Sequence, residues 1–86
     1  MSTVTIYSTE TCPFCVAAKN LLKGRGVPFT EIVFRKGERD RFEDLVRRTG
    51  MKTVPQIFFG DRLIGGFQEL SELDQKDGLA SLKNVA

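Results

Sequence analysis

Pro13 stands between two cysteines in the stretch "YSTETCPFCVAAKNLL", residues 7 to 22, and it constrains the fold more than any other residue in the chain. Proline is favoured at the first position of a helix, because its missing N–H would have had no intrahelical partner and its φ is already helical. The backbone is therefore expected to pass from extended to helical at this point, with Cys12 as the N-cap. Upstream, "TVTIY" (3 to 7) alternates with Val4 and Ile6 on one face, as a strand does. Downstream, Phe14, Ala17, Ala18, Leu21 and Leu22 recur at helical spacing until Gly24 and Gly26 stop the run.

The same rules organise the rest of the chain. "PFTEIVF" (28 to 34) is aromatic and β-branched and reads as a second strand, ended by the charged "RKGER". Phe42, Leu45, Val46 and Thr49 mark one face of a second helix, with Gly50 beyond its end. "TVPQIFF" (53 to 59) and "RLIGG" (62 to 66) are separated by Gly60 and Asp61, the spacing of a tight hairpin. Phe67, Leu70 and Leu73 trace a third helix, Asp77 and Gly78 interrupt it, and Leu79 and Leu82 suggest a short terminal turn. A strand–helix–strand unit needs a parallel pair and a right-handed crossover, and a hairpin can extend the same sheet. The expected fold class is α/β, a four-stranded mixed sheet with flanking helices in the order βαβαββα, in one domain spanning 1 to 86.

Composition narrows the function classes. The 41% hydrophobic content is that of a globular chain, and no run approaches the roughly 20 apolar residues of a membrane span. The net charge of +2 is weak, and the basic residues between Arg35 and Lys52 are interleaved with Glu38, Asp40, Glu43 and Asp44. Nucleic-acid binding wants a denser basic face with stacking aromatics, so neither nucleic acid nor membrane is expected as a partner. Met1 is followed by polar residues rather than a charged and apolar leader, which makes a cytoplasmic address the expectation, and the short globular composition reads as a monomer. Two cysteines are too few for a disulfide scaffold, and in a reducing compartment a close pair points to catalysis or metal binding.

The position of Cys12 decides between those two. An N-cap side chain accepts hydrogen bonds from the amides two and three residues on, here Phe14 and Cys15, and Ser, Thr, Asp or Asn usually fills the place. A sulfur there meets free N–H groups and the positive end of the helix macrodipole, which favour thiolate over thiol. Cys12 thus becomes an activated nucleophile in a chain without histidine. Cys15 lies in the same first turn, close enough for a disulfide, and lacks the cap. The pair can cycle: Cys12 attacks a disulfide, and Cys15 attacks the resulting mixed disulfide. A zinc site would need a second Cys pair or a His, and a cysteine-protease arrangement would need a histidine base, so no metal site is assigned. Two plain core cysteines would not account for Pro13.

"TETCPFC" at 9 to 15, "TVPQIFF" at 53 to 59 and "GGFQEL" at 65 to 70 resemble the dithiol glutaredoxins of the thioredoxin fold, in order and spacing, over essentially the whole chain. The resemblance implies Cys12 as nucleophile and Cys15 as resolving thiol, with Pro13, Phe14 and Pro55 supporting the site. It implies glutathione as co-substrate, with no tightly bound cofactor, and disulfide-containing or glutathionylated proteins as partners. It further implies that Thr53, Val54 and Pro55 form a loop facing the cysteines, with Pro55 in a cis peptide bond and the Val54 backbone pairing in strand fashion with the cysteinyl part of glutathione. Gly66, Phe67 and Gln68 would hold the γ-glutamyl end at the start of the third helix. The glycyl carboxylate calls for cations, and Lys52, Arg39 and Arg41 are the candidates.

Three features depart from the family pattern. Thr9 stands where many glutaredoxins have Lys, Gln68 and Glu69 follow the glycine pair where an Asp often grips the ligand's ammonium group, and Phe14 replaces a Tyr. A weaker hold on glutathione is the expectation. Two rivals follow: a glutaredoxin-like redoxin that draws electrons from thioredoxin reductase and serves ribonucleotide reductase, and a carrier in which Cys12 of two chains and two glutathiones ligate a [2Fe–2S] cluster. Pro13 stiffens the helix start and disfavours the second.

Overall fold

The computed structural model describes residues 3–83; Met1 and Ser2, which belong to the polar start read above, lie outside the described residues. Strand β1 (Val4–Thr9) leads into helix α1 (Pro13–Gly24), then β2 (Phe29–Phe34) and helix α2 (Arg39–Thr49). The hairpin β3 (Gln56–Phe59) and β4 (Arg62–Gly65) follows, then α3 (Phe67–Asp77) and the short α4 (Ala80–Lys83). The sheet order is β2-β1-β3-β4. β1 runs parallel to β2, with Val4 opposite Phe29 and Thr9 opposite Phe34. β1 is antiparallel to β3, and β3 to β4, with an irregularity between Ile57 and Phe58. This is the four-stranded mixed sheet that the sequence predicts.

Alternation in β1 sorts the two faces of the sheet. Val4, Ile6 and Ser8 are buried toward one side, where Val4 and Ile6 join Ala18 and Leu22 of α1, Ile57 of β3, and Leu70, Leu79 and Leu82 in one apolar cluster. Tyr7 points the other way, stacking on Phe34 at 5.8 Å between ring centroids and meeting Phe58 edge-on at 5.6 Å. Phe42 of α2 closes this second layer against Phe34. Both faces are thus covered, as a parallel pair requires.

Several boundaries differ from the sequence reading, each for a local reason. β1 continues through Ser8 and Thr9 because Val33 and Phe34 offer them partners. β3 begins at Gln56 rather than Thr53, since Pro55 has no N–H for a ladder and the Val54–Pro55 bond is cis. β4 ends at Gly65, leaving Gly66 as the N-cap of α3. Gly50 closes α2 in the left-handed conformation, φ 76°, as expected of a glycine there. The terminal turn is helical, α4, and Asp77 Oδ1 accepts the Leu79 N–H at 3.0 Å where α3 breaks.

Candidate active site

The C-terminal end of β1, the N-terminus of α1, the loop before β3 and the start of α3 meet at one end of the sheet. Cys12 is the N-cap of α1, extended at φ −145° and ψ 102°, and Pro13 is the first helical residue. The Cys12 carbonyl accepts the Val16 N–H at 3.1 Å, opening the helical ladder. Its Sγ accepts the N–H of Cys15 at 3.2 Å. Of the two amides expected to face the sulfur, Cys15 supplies this bond. Both thiols are free, Cys12 half-buried and Cys15 only 1% exposed.

Burial pushes the Cys15 thiol up to about 12, and the hydrogen bond and charge of Cys12 add to the rise. The Thr9 backbone and the Lys19 charge act in the opposite direction. The two sulfurs therefore live in different environments one helical turn apart.

Across from the helix start, the Cys12 thiol faces the Val54 carbonyl oxygen at 3.8 Å, a weak donor contact typical of sulfur. A groove of about 400 Å3 opens beside it, lined by Phe14, Met51, Thr53, Val54, Pro55, Gly66, Phe67, Gln68 and Glu69. Phe14 is 63% exposed at the mouth, its ring centroid 6.1 Å from that of Phe67. The structure thus brings together Phe14, Thr53, Val54, Pro55, Gly66, Phe67 and Gln68 from three separate stretches of sequence. The amides of Phe67 and Gln68, in the first turn of α3, have no intrahelical partner, so they can meet an anion. The Gly66 amide is already engaged, donating to Glu69 Oε1 at 2.7 Å.

The three candidate cations fare differently. Lys52 is exposed next to the loop but is not part of the groove's wall. Arg39 belongs to a second depression with Thr9, Thr11, Phe34 and Lys36, and takes no part in this groove. Arg41 is turned away: its guanidinium pairs with Glu38 one turn back and lies 5.8 Å from the centre of the Phe34 ring. Helical spacing brings Arg41 to Glu38, and the sheet brings Phe34 beneath it.

Two residues of the site escape a reading of the sequence. Met51 lines the groove, and nothing in its neighbourhood of the chain announces this. Gln56 is fully buried, and its Nε2 donates to the carbonyls of Met51 at 2.9 Å and Thr53 at 3.1 Å, tying down the loop that carries Val54. Its Oε1 has no partner among the described residues. A lone amide in the apolar run "QIFF" was the available signal, because a buried polar side chain needs a structural reason.

Among the described residues, no group of three or more His, Cys, Asp or Glu comes together to hold a metal ion, and no helix is long and apolar enough to cross a membrane.

The chain is similar to known proteins throughout its length. The family model described as glutaredoxin matches residues 4–64. Glutaredoxin 3 of Escherichia coli (strain K12) is 44% identical over 82 residues, covering 95% of this chain and 98% of that one. A glutaredoxin of Neisseria meningitidis (serogroup A) is 38% identical over 84 residues, covering 98% and 99%. The solution structure of a glutaredoxin from Brucella melitensis superposes with a TM-score of 0.83 at 36% identity, covering all of this chain, 100%, and 94% of that one. A capped cysteine pair, the sheet order and these similarities agree: the chain belongs to the glutaredoxin family of thiol-disulfide oxidoreductases, with the thioredoxin fold.

Proposed function

We propose that the protein reduces glutathione mixed disulfides and protein disulfides with electrons from glutathione, through Cys12 as nucleophile and Cys15 as resolving thiol. One observation carries the reading: the Cys12 sulfur sits at the N-cap of α1 and opposite the Val54 carbonyl, at the wall of a groove of about 400 Å3. The helix start points an amide N–H at the Cys12 sulfur, and the groove offers an extended backbone and unpaired helix amides to a small peptide with two carboxylates.

In the first reaction, the Cys12 thiolate attacks the glutathione sulfur of a mixed disulfide, forming Cys12–S–S–glutathione and releasing the protein thiolate. A second glutathione thiolate attacks the glutathionyl sulfur, releasing oxidised glutathione and restoring the Cys12 thiolate. In the second reaction, Cys12 attacks a protein disulfide and Cys15, as thiolate, attacks Cys12 Sγ in the mixed disulfide. The substrate leaves as a dithiol once it takes up its protons, and two glutathiones then reduce the Cys12–Cys15 disulfide. Thr53 and Val54 would pair with the cysteinyl part of glutathione, the amides of Phe67 and Gln68 would take its γ-glutamyl carboxylate, and Lys52, exposed beside the loop, would reach the glycyl carboxylate. Pro13 sets the helix start, and Phe14, Pro55 and Gly66 shape the groove. The reading places the protein in the cytoplasm as a monomeric single domain.

Steady-state turnover of a glutathionylated peptide with glutathione, glutathione reductase and NADPH tests this. Saturable turnover that requires Cys12 is expected. Turnover only when thioredoxin reductase replaces the glutathione system would overturn it.

A further inference from the structure

Beneath the cysteines lies a polar cluster that the reactions above do not use. Ser8 is fully buried at the end of β1, and its Oγ donates to Glu31 Oε2 of β2 at 2.7 Å. Lys19 of α1 donates to the same Oε2 at 2.8 Å. The pair is partly exposed, its side chains 25% and 29% accessible to solvent. The Lys19 ammonium, and then the Ser8 hydroxyl, hold the Glu31 carboxyl below its usual range. A hydroxyl placed in the core to grip a carboxylate fixes the position of the ammonium beyond it.

Lys19 follows Cys15 by four residues in α1, so the two share a face with about 5–6 Å between their Cβ atoms. The other groups around the buried thiol are few. Cys12 lies one turn back and the Thr9 backbone comes from β1, while Lys23, one turn further along α1, adds its charge near Glu31.

We propose that Lys19 is a positioning residue for the resolving step: its ammonium, fixed by Glu31 and through it by Ser8, stabilises the negative charge that Cys15 carries as it attacks the Cys12 mixed disulfide. The inference rests on the resolving role of Cys15 proposed above. In that step the Cys15 thiol gives its proton to water and its thiolate bonds to Cys12 Sγ. The substrate sulfur leaves as a thiolate with the electron pair of the broken S–S bond. Burial opposes the thiolate of Cys15, and the Lys19 charge acts in the opposite direction.

The reaction of the reduced protein with dithionitrobenzoate, an aryl disulfide, separates the two steps. Attack by Cys12 releases one thionitrobenzoate, and attack by Cys15 on the resulting mixed disulfide releases the second. In Lys19→Met the second phase is expected to slow about tenfold relative to the first and to shift its pH profile upward, while Lys19→Arg restores both. An unchanged ratio in Lys19→Met, or Lys19→Arg as slow as Lys19→Met, would overturn the role of Lys19. Cys15→Ser should release a single thionitrobenzoate. A second release from that variant would instead overturn the reading of Cys15 on which the inference stands.

Discussion

Cys12 and Val54, 42 positions apart in the chain, meet where the thiol of one faces the carbonyl oxygen of the other at 3.8 Å. A single contact thus joins the sulfur that caps the helix to the loop that walls the groove. The residues on either side of it are expected to affect different steps.

Cys12→Ser should abolish thiol transfer of both kinds, because no second capped sulfur exists among the described residues. Cys15→Ser should keep turnover of glutathionylated peptide but lose reduction of a protein disulfide such as that of insulin. Parallel glutathione-coupled and insulin assays check the division of labour; equal loss in both variants would contradict it.

The reduced protein should lose stability in alkali through Cys15. Its folded-state thiol is pushed up to about 12, above the ordinary value of about 8.5 that holds in the unfolded chain. The native state therefore holds on to a proton that the unfolded state releases. This contribution is complete below about pH 8.5 and declines as pH rises toward 12. Urea unfolding midpoints measured under reductant from about pH 8 upward should fall more steeply for the wild type than for Cys15→Ser. Parallel curves would refute the burial argument.

Gln56→Leu should damage function more than stability. Leucine removes the two bonds that tie the loop through Met51 and Thr53, yet it also removes a buried Oε1 without a partner, so the net change in unfolding free energy should stay within about 1 kcal/mol. Loosening the loop that carries Val54 should lower kcat/KM for the glutathione mixed disulfide by about 10- to 100-fold. Chemical denaturation and steady-state kinetics on one preparation compare the two effects.

Gly65→Ala should disturb the start of α3. Gly65 has φ 132°, a conformation that side chains rarely adopt, and an added Cβ would lie 2.7 Å from the Cγ and Oε1 of Glu69, the side chain that caps Gly66. A loss of about 1–3 kcal/mol is expected, together with weaker saturation by glutathione. Thermal unfolding and the KM for glutathione measure the two consequences, and a stable variant with unchanged KM would count against the close fit.

Local chemistry alone decided the elements and the cap. Pro13 marked the helix start, so Cys12 could be placed as its N-cap, and the alternation of Val4 and Ile6 and the 3.6-residue spacing of Leu45, Val46 and Thr49 marked a strand and a helix. These signals act within a few residues, where backbone geometry and side-chain periodicity are enough. Tertiary structure decided what meets what. Only the β1–β3 pairing brings the loop before β3 to Cys12, only the buried side of the sheet gives Ser8 and Glu31 to Lys19, and only the stacking of Phe34 beneath α2 draws Arg41 away from the groove. Such contacts join residues distant along the chain, and they depend on register and on which face each side chain occupies. No short window of sequence contains that information.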